Sequence, residues 1–106
     1  MAEVKLVVLY PHPKDPERFA LDYQEHLALL RQKMGIPEGA RPYSVTRFID
    51  DPSSPAPFHQ MFSMPFPSIE ALQAALGSTE MQEVGADAMR ISTGGPIVIL
   101  VGGETS

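Results

Sequence analysis

Residues 10–30 read YPHPKDPERFALDYQEHLALL, and the rest of the chain is organised around this stretch. It completes an apolar run at residues 4–10, VKLVVLY, which predicts a strand buried on both faces. Asp15 then provides a helix N-cap, and Pro16 suits the first helical position, where its missing N–H costs nothing. The stretch therefore predicts the end of a strand, a proline-rich turn and a helix that begins at Pro16.

The predicted helix buries one stripe and ends near residue 35. Gly35 suits a left-handed cap, and Pro37 prevents the helix from resuming. Apolar side chains recur at helical spacing and are expected to face the core: Phe19, Tyr23, Leu27, Leu30 and Met34.

The remaining chain predicts three more strands and a second, interrupted helical region. Residues 43–50 and 58–66 predict the second and third strands. Ser68 caps a helical region that is interrupted at residues 77–78, and the apolar residues 96–101 predict the fourth strand. The order βαββαβ predicts an α+β, ferredoxin-like fold: a four-stranded antiparallel sheet with both helices on one face and the first and third strands in the centre.

The fourth strand, IVILV, indicates a partner subunit. It has no polar alternation, although it is expected to lie at an edge of the sheet, and an open apolar edge is an aggregation hazard. Helices cover only one face of the sheet, and a second copy of the same sheet is the simplest cover for the other. We therefore predict a homodimer in which two sheets face each other as a dimeric α/β barrel.

Composition excludes several classes of function. The net charge is −5, and residues 51–106 hold one basic residue, Arg90, against six acidic ones. This distribution lacks the basic face of a nucleic-acid binder and the polybasic patch of a membrane binder, so we predict neither partner. The absence of cysteine excludes disulfides and a thiol nucleophile. With neither a signal peptide nor a membrane span in the pattern, we expect one cytoplasmic domain over residues 1–106.

Residues 10–30 resemble the signature of the EthD-like family, which has a strand, a YPHPKDP-type turn, an aromatic pair and a helix histidine. Residues 65–90, PFPSIEALQAALGSTEMQEVGADAMR, resemble the family's second helical region, and residues 94–104, GGPIVILVGGE, resemble its closing strand. The resemblance implies a dimeric α/β barrel with a pocket between the sheet and the helices. Relatives in that superfamily include cofactor-free monooxygenases, muconolactone isomerases and polyketide cyclases.

His26 is the leading catalytic candidate. Asp22 precedes it by four residues on the same helix face, so we expect Asp22 to hydrogen-bond the imidazole. Such a pair fixes the tautomer and leaves the other ring nitrogen as a general base or acid. Tyr23 and Tyr10 are candidates to give a phenol to a substrate oxygen. The same pattern also fits a structural histidine that ties the helix to the sheet, with Asp22 solvated.

Three further residues are candidates for substrate binding. His12 is held between two prolines, where it can line a pocket mouth, and Phe62 and Phe66 belong to an apolar strip of the third strand that can contact an apolar ligand. Core packing explains the same strip equally well. The three histidines have no metal-ligand spacing, and no dinucleotide or phosphate motif is present, so we predict no metal and no bound cofactor.

These features predict a small dimeric, cofactor-free enzyme, of isomerase, cyclase or monooxygenase-like type. Its expected substrate is an apolar or aromatic small molecule in catabolic or secondary metabolism. A non-catalytic ligand-binding or accessory protein for an oxidative degradation pathway, and a purely structural dimer, stay open as alternatives. The space beside His26 separates them, because ligand sites usually occupy ~300–1,000 Å³ whereas a solid core would exclude a site.

Overall fold

A computed structural model describes residues 3–103 of the chain. In chain order, the elements of this part are β1 (Val4–Tyr10), α1 (Pro16–Met34), β2 (Ser44–Arg47), β3 (Gln60–Phe66), α2 (Ile69–Leu76), α3 (Thr79–Ile91) and β4 (Val98–Gly103). The strands form one antiparallel sheet in the order β2-β3-β1-β4. The predicted ferredoxin-like fold is confirmed, with β1 and β3 in the centre of the sheet.

Three strands differ in extent from the prediction. β3 begins at Gln60 and not at residue 58, and β4 begins at Val98 and not at residue 96. β2 is only four residues long. Beyond Arg47, one further backbone hydrogen bond joins it to the segment before β3, from the N–H of Phe48 to the carbonyl of His59. The sequence predicted that β4 ends at residue 101. The strand continues to Gly103, because Gly102 and Gly103 still pair with β1. The sheet is therefore shortest at β2 and longest along β1, β3 and β4.

The start and end of α1 are confirmed as predicted. The Asp15 side chain accepts a hydrogen bond from the N–H of Arg18 at 3.2 Å, and Pro16 occupies the first turn. Gly35 adopts the left-handed conformation, with φ 65°, and its N–H donates to the carbonyl of Arg31. These caps fix where the helix begins and ends, and hence the position of His26 along it.

The proline turn packs directly against the loop between α3 and β4. A Cβ on Gly94 would overlap the backbone carbonyl of His12. The N–H of Lys14 also donates to Thr93 Oγ1 at 3.1 Å. The sequence indicated only a turn at residues 94–95, and the structure shows that Gly94 is required for close approach of two backbones.

We expect Gly94→Ala to destabilise the protein by about 1–3 kcal/mol, because the added methyl group displaces the proline turn. Thermal unfolding followed by circular dichroism should show Tm lower by roughly 5–15 °C. Gly77→Ala is the matched control, because a Cβ there makes only ordinary contacts, at 3.5 Å or more. Equal Tm values for the two variants would contradict the close approach.

The face of the sheet opposite the helices is uncovered in the described part of the chain, and an apolar strip crosses three of its strands. The strip consists of Val7, Leu9, Met61, Val98 and Leu100, and the rest of this open face holds Lys5, Ser44, Thr46, Ser63 and Pro65. Leu100 is 49% exposed, and on the helix side of the same strand Ile99 is 53% exposed. β4 is thus apolar on both faces, as the sequence predicted, and it is exposed on the helix side as well as on the open face. No helix within residues 3–103 has the length and apolar character to cross a membrane.

Candidate active site

His26 lies on the inner face of α1, in the layer between the helices and the sheet. Its side chain is only 5% exposed, and its ring lies 5.7 Å from the ring of Tyr23, centroid to centroid. The helix spacing that buries Phe19, Tyr23 and Leu30 also carries His26 inward. A buried imidazole needs a hydrogen-bond partner, and α3 supplies it.

That partner is Asp87 on α3. Its Oδ2 lies 2.8 Å from His26 Nδ1, and its Oδ1 accepts from Nε and Nη2 of Arg90, each at 2.9 Å. Because the carboxylate can only accept, Nδ1 of a neutral His26 is the protonated nitrogen. No described residue hydrogen-bonds Nε2, whose lone pair is therefore free to accept a proton.

The electrostatics keep His26 neutral and Asp87 ionised. Burial lowers the pKa of His26 below its ordinary value of 6.5, and the hydrogen bond to Asp87 only partly offsets this effect. Burial alone would raise the pKa of Asp87, but the hydrogen bonds from His26 and Arg90 outweigh it and bring the pKa below 3.8. At neutral pH the pair is thus an imidazole held by a carboxylate, which is the form required of a general base.

We expect acid to destabilise the protein partly through His26. Because its folded pKa lies below 6.5, the unfolded state binds more protons as the pH falls from 6.5 towards the folded pKa, so stability decreases in that window. Urea unfolding at pH 7.5 and pH 5.0 should show that the free energy of unfolding decreases less for His26→Gln than for the wild type. His59→Gln is the control, because burial also lowers the pKa of His59, and its contribution to the loss of stability must be measured separately. If the free energy of unfolding of His26→Gln decreases as much as that of the wild type, the lowered pKa of His26 would be contradicted.

Two tyrosines lie beside the His26–Asp87 pair in different roles. The rings of Tyr10 and Tyr23 meet edge to face at 5.6 Å. Tyr10 borders the same cavity as His26, and burial, followed by the charges of Tyr23 and Asp87, raises its pKa, so its hydroxyl stays protonated. Burial raises the pKa of Tyr23, and the nearby Gln60 side chain only partly offsets this effect, while the buried Tyr23 hydroxyl has no hydrogen bond of good geometry in the described structure.

A small apolar cavity adjoins His26 between the sheet and the helices. The centre of a water-sized sphere has about 70 Å³ of room there, and all the empty space between the atoms, including open solvent at the mouth, is about 490 Å³. The 70 Å³ is the value to compare with other cavities, and it is below the few hundred Å³ expected for a ligand site, because core side chains occupy most of the layer. The walls include Leu6, Val8, Phe62, Leu30, Val84 and Ala88. The mouth lies at Leu76 and Ile99, which are both exposed.

The expectation that Asp22 orients His26 is wrong. Asp22 Oδ1 accepts instead from Nε of Arg18 at 3.1 Å, one turn earlier on the helix. A residue four positions before another is rotated by about 40° around the helix. Here that rotation brings Asp22, whose side chain is only 14% exposed, against Arg18, while His26 faces α3.

The other predicted site residues separate into two groups. Tyr10 and Phe62 border the cavity, and Tyr23 contacts the His26 ring from outside it. His12 is exposed, and its Nε2 bonds the carbonyl of Ala56 at 2.7 Å, which ties the proline turn to the loop before β3. Phe66 is buried in the core and does not border the cavity. The structure therefore places His12 and Phe66 away from the space beside His26.

Sequence reasoning missed Asp87 and Gly85, both from α3. Asp87 lies 61 residues from His26 along the chain, so no local spacing connects them. Its spacing from Arg90 was visible but is typical of any solvated helix face. Among residues 3–103, no cluster of three or more His, Cys, Asp or Glu side chains is placed to hold a metal ion.

Solved structures share this architecture. An ethyl tert-butyl ether D (EthD) family protein from Bacillus halodurans is 32% identical, with a TM-score of 0.80 over 97% of this chain and 99% of its own. A hydroxynitrile lyase from Passiflora edulis is 13% identical, with a TM-score of 0.71 over 99% of this chain and 95% of its own. A dimeric ferredoxin-like protein of unknown function from Jannaschia is 17% identical, with a TM-score of 0.67 over 95% of this chain and 97% of its own.

The two distant likenesses show the fold alone. No curated protein sequence matches the chain. The EthD domain, however, matches residues 11–94, which include the proline turn, α1 with His26, and α3 with Asp87. With this match and the Bacillus relative, the chain belongs to the EthD family.

Proposed function

We propose that this protein is an enzyme that moves a proton on an apolar or aromatic small molecule, with His26 as the general base. The observation that carries the proposal is the 2.8 Å hydrogen bond between His26 Nδ1 and Asp87 Oδ2, at the wall of an apolar cavity. It fixes the tautomer in which Nε2 accepts a proton. Tyr10, whose hydroxyl stays protonated, is suited to hydrogen-bond a substrate oxygen on which negative charge develops.

One elementary step serves isomerisation, cyclisation and lyase chemistry alike. Nε2 takes a proton from a C–H next to a carbonyl, or from an O–H, and the electron pair of that bond moves onto the substrate. The imidazolium is stabilised by Asp87 and then returns the proton to the same or another atom. The Passiflora hydroxynitrile lyase is an example of an enzyme built on this fold. Side chains alone suffice for the step.

The proposal includes a homodimer assembled through the open face of the sheet. That face is apolar across three strands, and an uncovered strip of this kind is typical of an interface. The Jannaschia protein of similar fold is dimeric. β4 also borders the cavity mouth at Ile99, on the side of the strand opposite the open face.

A binding protein without catalysis is the second candidate. The cavity walls are almost entirely apolar, so binding of an apolar ligand would depend little on His26. In that case the protein would hold a hydrophobic intermediate for a partner enzyme, and His26 with Asp87 would serve to join α1 to α3.

Hydrogen–deuterium exchange separates the two candidates. Wild-type protein is incubated in D₂O with cyclohexanone, acetophenone or α-tetralone, each an apolar ketone with an acidic C–H next to its carbonyl. We expect mass spectrometry to show deuterium entering at least one ketone faster than in a heat-unfolded control. Exchange at the control rate for all three, together with binding of a ketone seen by NMR, would favour the binding protein.

A further inference from the structure

Gly85 lies in the middle of α3 and borders the cavity, yet nothing in the backbone requires a glycine there. Its φ is not positive, and it lies six residues inside a thirteen-residue helix. A mid-helix glycine lowers the folding equilibrium constant roughly five-fold relative to alanine. The helix itself therefore gives no reason for a glycine at this position.

Close packing is not that reason. A Cβ built on Gly85 meets no atom within 4 Å, whereas one on Gly94 would overlap a backbone carbonyl. The missing side chain of Gly85 therefore leaves empty space, and Gly85 borders the same cavity as His26 and Ile99. Ala88 on the same wall is also small, so these two positions add little side-chain volume beside Met81 and Val84, the other α3 residues that border the cavity.

From this geometry we infer that Gly85 determines the size of the molecule that the site accepts. The inference rests on the proposed function for its substrate, an uncharged apolar molecule with one polar atom, because no charged side chain within residues 3–103 borders the cavity. Gly85 keeps open the room that such a molecule needs to bring that atom to His26. It is a specificity residue and takes no part in the proton transfer.

Three variants test the inference by stability and binding. In Gly85→Ala the helix gains propensity without a clash, so Tm should rise by roughly 4–8 °C. In Gly85→Leu the side chain fills the cavity, while Ala86→Leu adds the same side chain at the exposed neighbouring position. Xenon and phenol are the probes, and the ¹³C shifts of the Leu6 and Val8 methyl groups on the cavity wall report their binding.

We expect wild type and Ala86→Leu to show shifts with both probes. Gly85→Leu should lose the xenon shifts and raise the Kd for phenol at least about ten-fold. If Gly85→Leu does not fold, Gly85→Ala carries the test through its Tm and a weaker phenol affinity. Xenon shifts in Gly85→Leu equal to wild type, no xenon shifts in the wild type, or a lower Tm for Gly85→Ala would each overturn the inference.

Substrate selectivity distinguishes this inference from the proposed function. If the wild type catalyses deuterium exchange into ketones, Gly85→Ala should change the ratio of exchange rates in favour of the smaller cyclohexanone over α-tetralone by about ten-fold. If Gly85→Leu no longer binds xenon and phenol and the wild type catalyses no deuterium exchange, catalysis would be refuted, but Gly85 would remain the residue that limits ligand size. If the rates of deuterium exchange into the ketones are unchanged by substitution at Gly85, the inference would be refuted, while the proposed catalysis would still hold.

Discussion

Replacing His26 by glutamine is expected to reduce catalysed deuterium exchange by roughly 10²–10⁴-fold, the usual contribution of a positioned general base. Glutamine keeps a polar group near Asp87 on α3 but has no nitrogen that accepts a proton at neutral pH. The fold should persist, because the α1–α3 contact also includes the ion pair of Lys33 with Glu83, at 2.7 Å. Initial exchange rates by mass spectrometry and circular dichroism of the same sample measure both properties.

Asp87→Asn tests whether the carboxylate, and not merely a polar group, orients the ring. The asparagine NH₂ can donate to Nδ1, which would place the ring proton on Nε2 and occupy the basic position. The Asp87 charge that raises the pKa of His26 is lost, while Arg90, which lowers it, remains. We therefore expect exchange close to that of His26→Gln and a His26 pKa, followed by NMR, below that of the wild type.

Asp22→Asn is the matched control for this pair. It makes the same chemical change four residues before His26, at a carboxylate that contacts Arg18 and not the imidazole. We expect less than about a two-fold change in exchange rate, in the range of surface substitutions. Full activity in Asp87→Asn with loss in Asp22→Asn would show that the pairing at the site is misassigned.

The second large effect concerns assembly. Leu100→Glu places a carboxylate at the apolar edge of the open face, where Leu100 is opposite Val7 on β1. In a two-fold dimer each substitution counts twice, and an unpaired charge buried in an interface costs several kcal/mol. We expect the dimer Kd to rise at least about 100-fold. Multi-angle light scattering at micromolar concentration should then report a monomer.

Leu21→Glu provides the control for the dimer prediction. It replaces the same residue type, which is 61% exposed on α1 on the helix side of the sheet. This variant should remain dimeric with an unchanged Tm. A stable wild-type monomer at micromolar concentration, or a dimer that survives Leu100→Glu, would contradict assembly through the open face.

The elements of the fold could be predicted because their signals are local. Asp15 and Pro16 begin α1, Gly35 ends it, and Ser68 caps α2, each through hydrogen bonds within a few residues. Strand order followed from the alternation of strands and helices together with the handedness of their connections. Strand ends were less accurate, as at Gly103, because they depend on the length of the opposite strand.

The sequence by itself determined the ferredoxin-like architecture and the apolar β4, and it placed His26 on the flank of the buried helix stripe, since periodicity and capping act over one or two turns of chain. Only the tertiary structure decided which carboxylate meets that histidine. Asp22 is near in sequence but rotated towards Arg18, whereas Asp87 is remote and is brought into contact when α3 packs on α1. The cavity and the empty space at Gly85 were decided in the same way, because unfilled volume exists only after every neighbouring side chain has been placed.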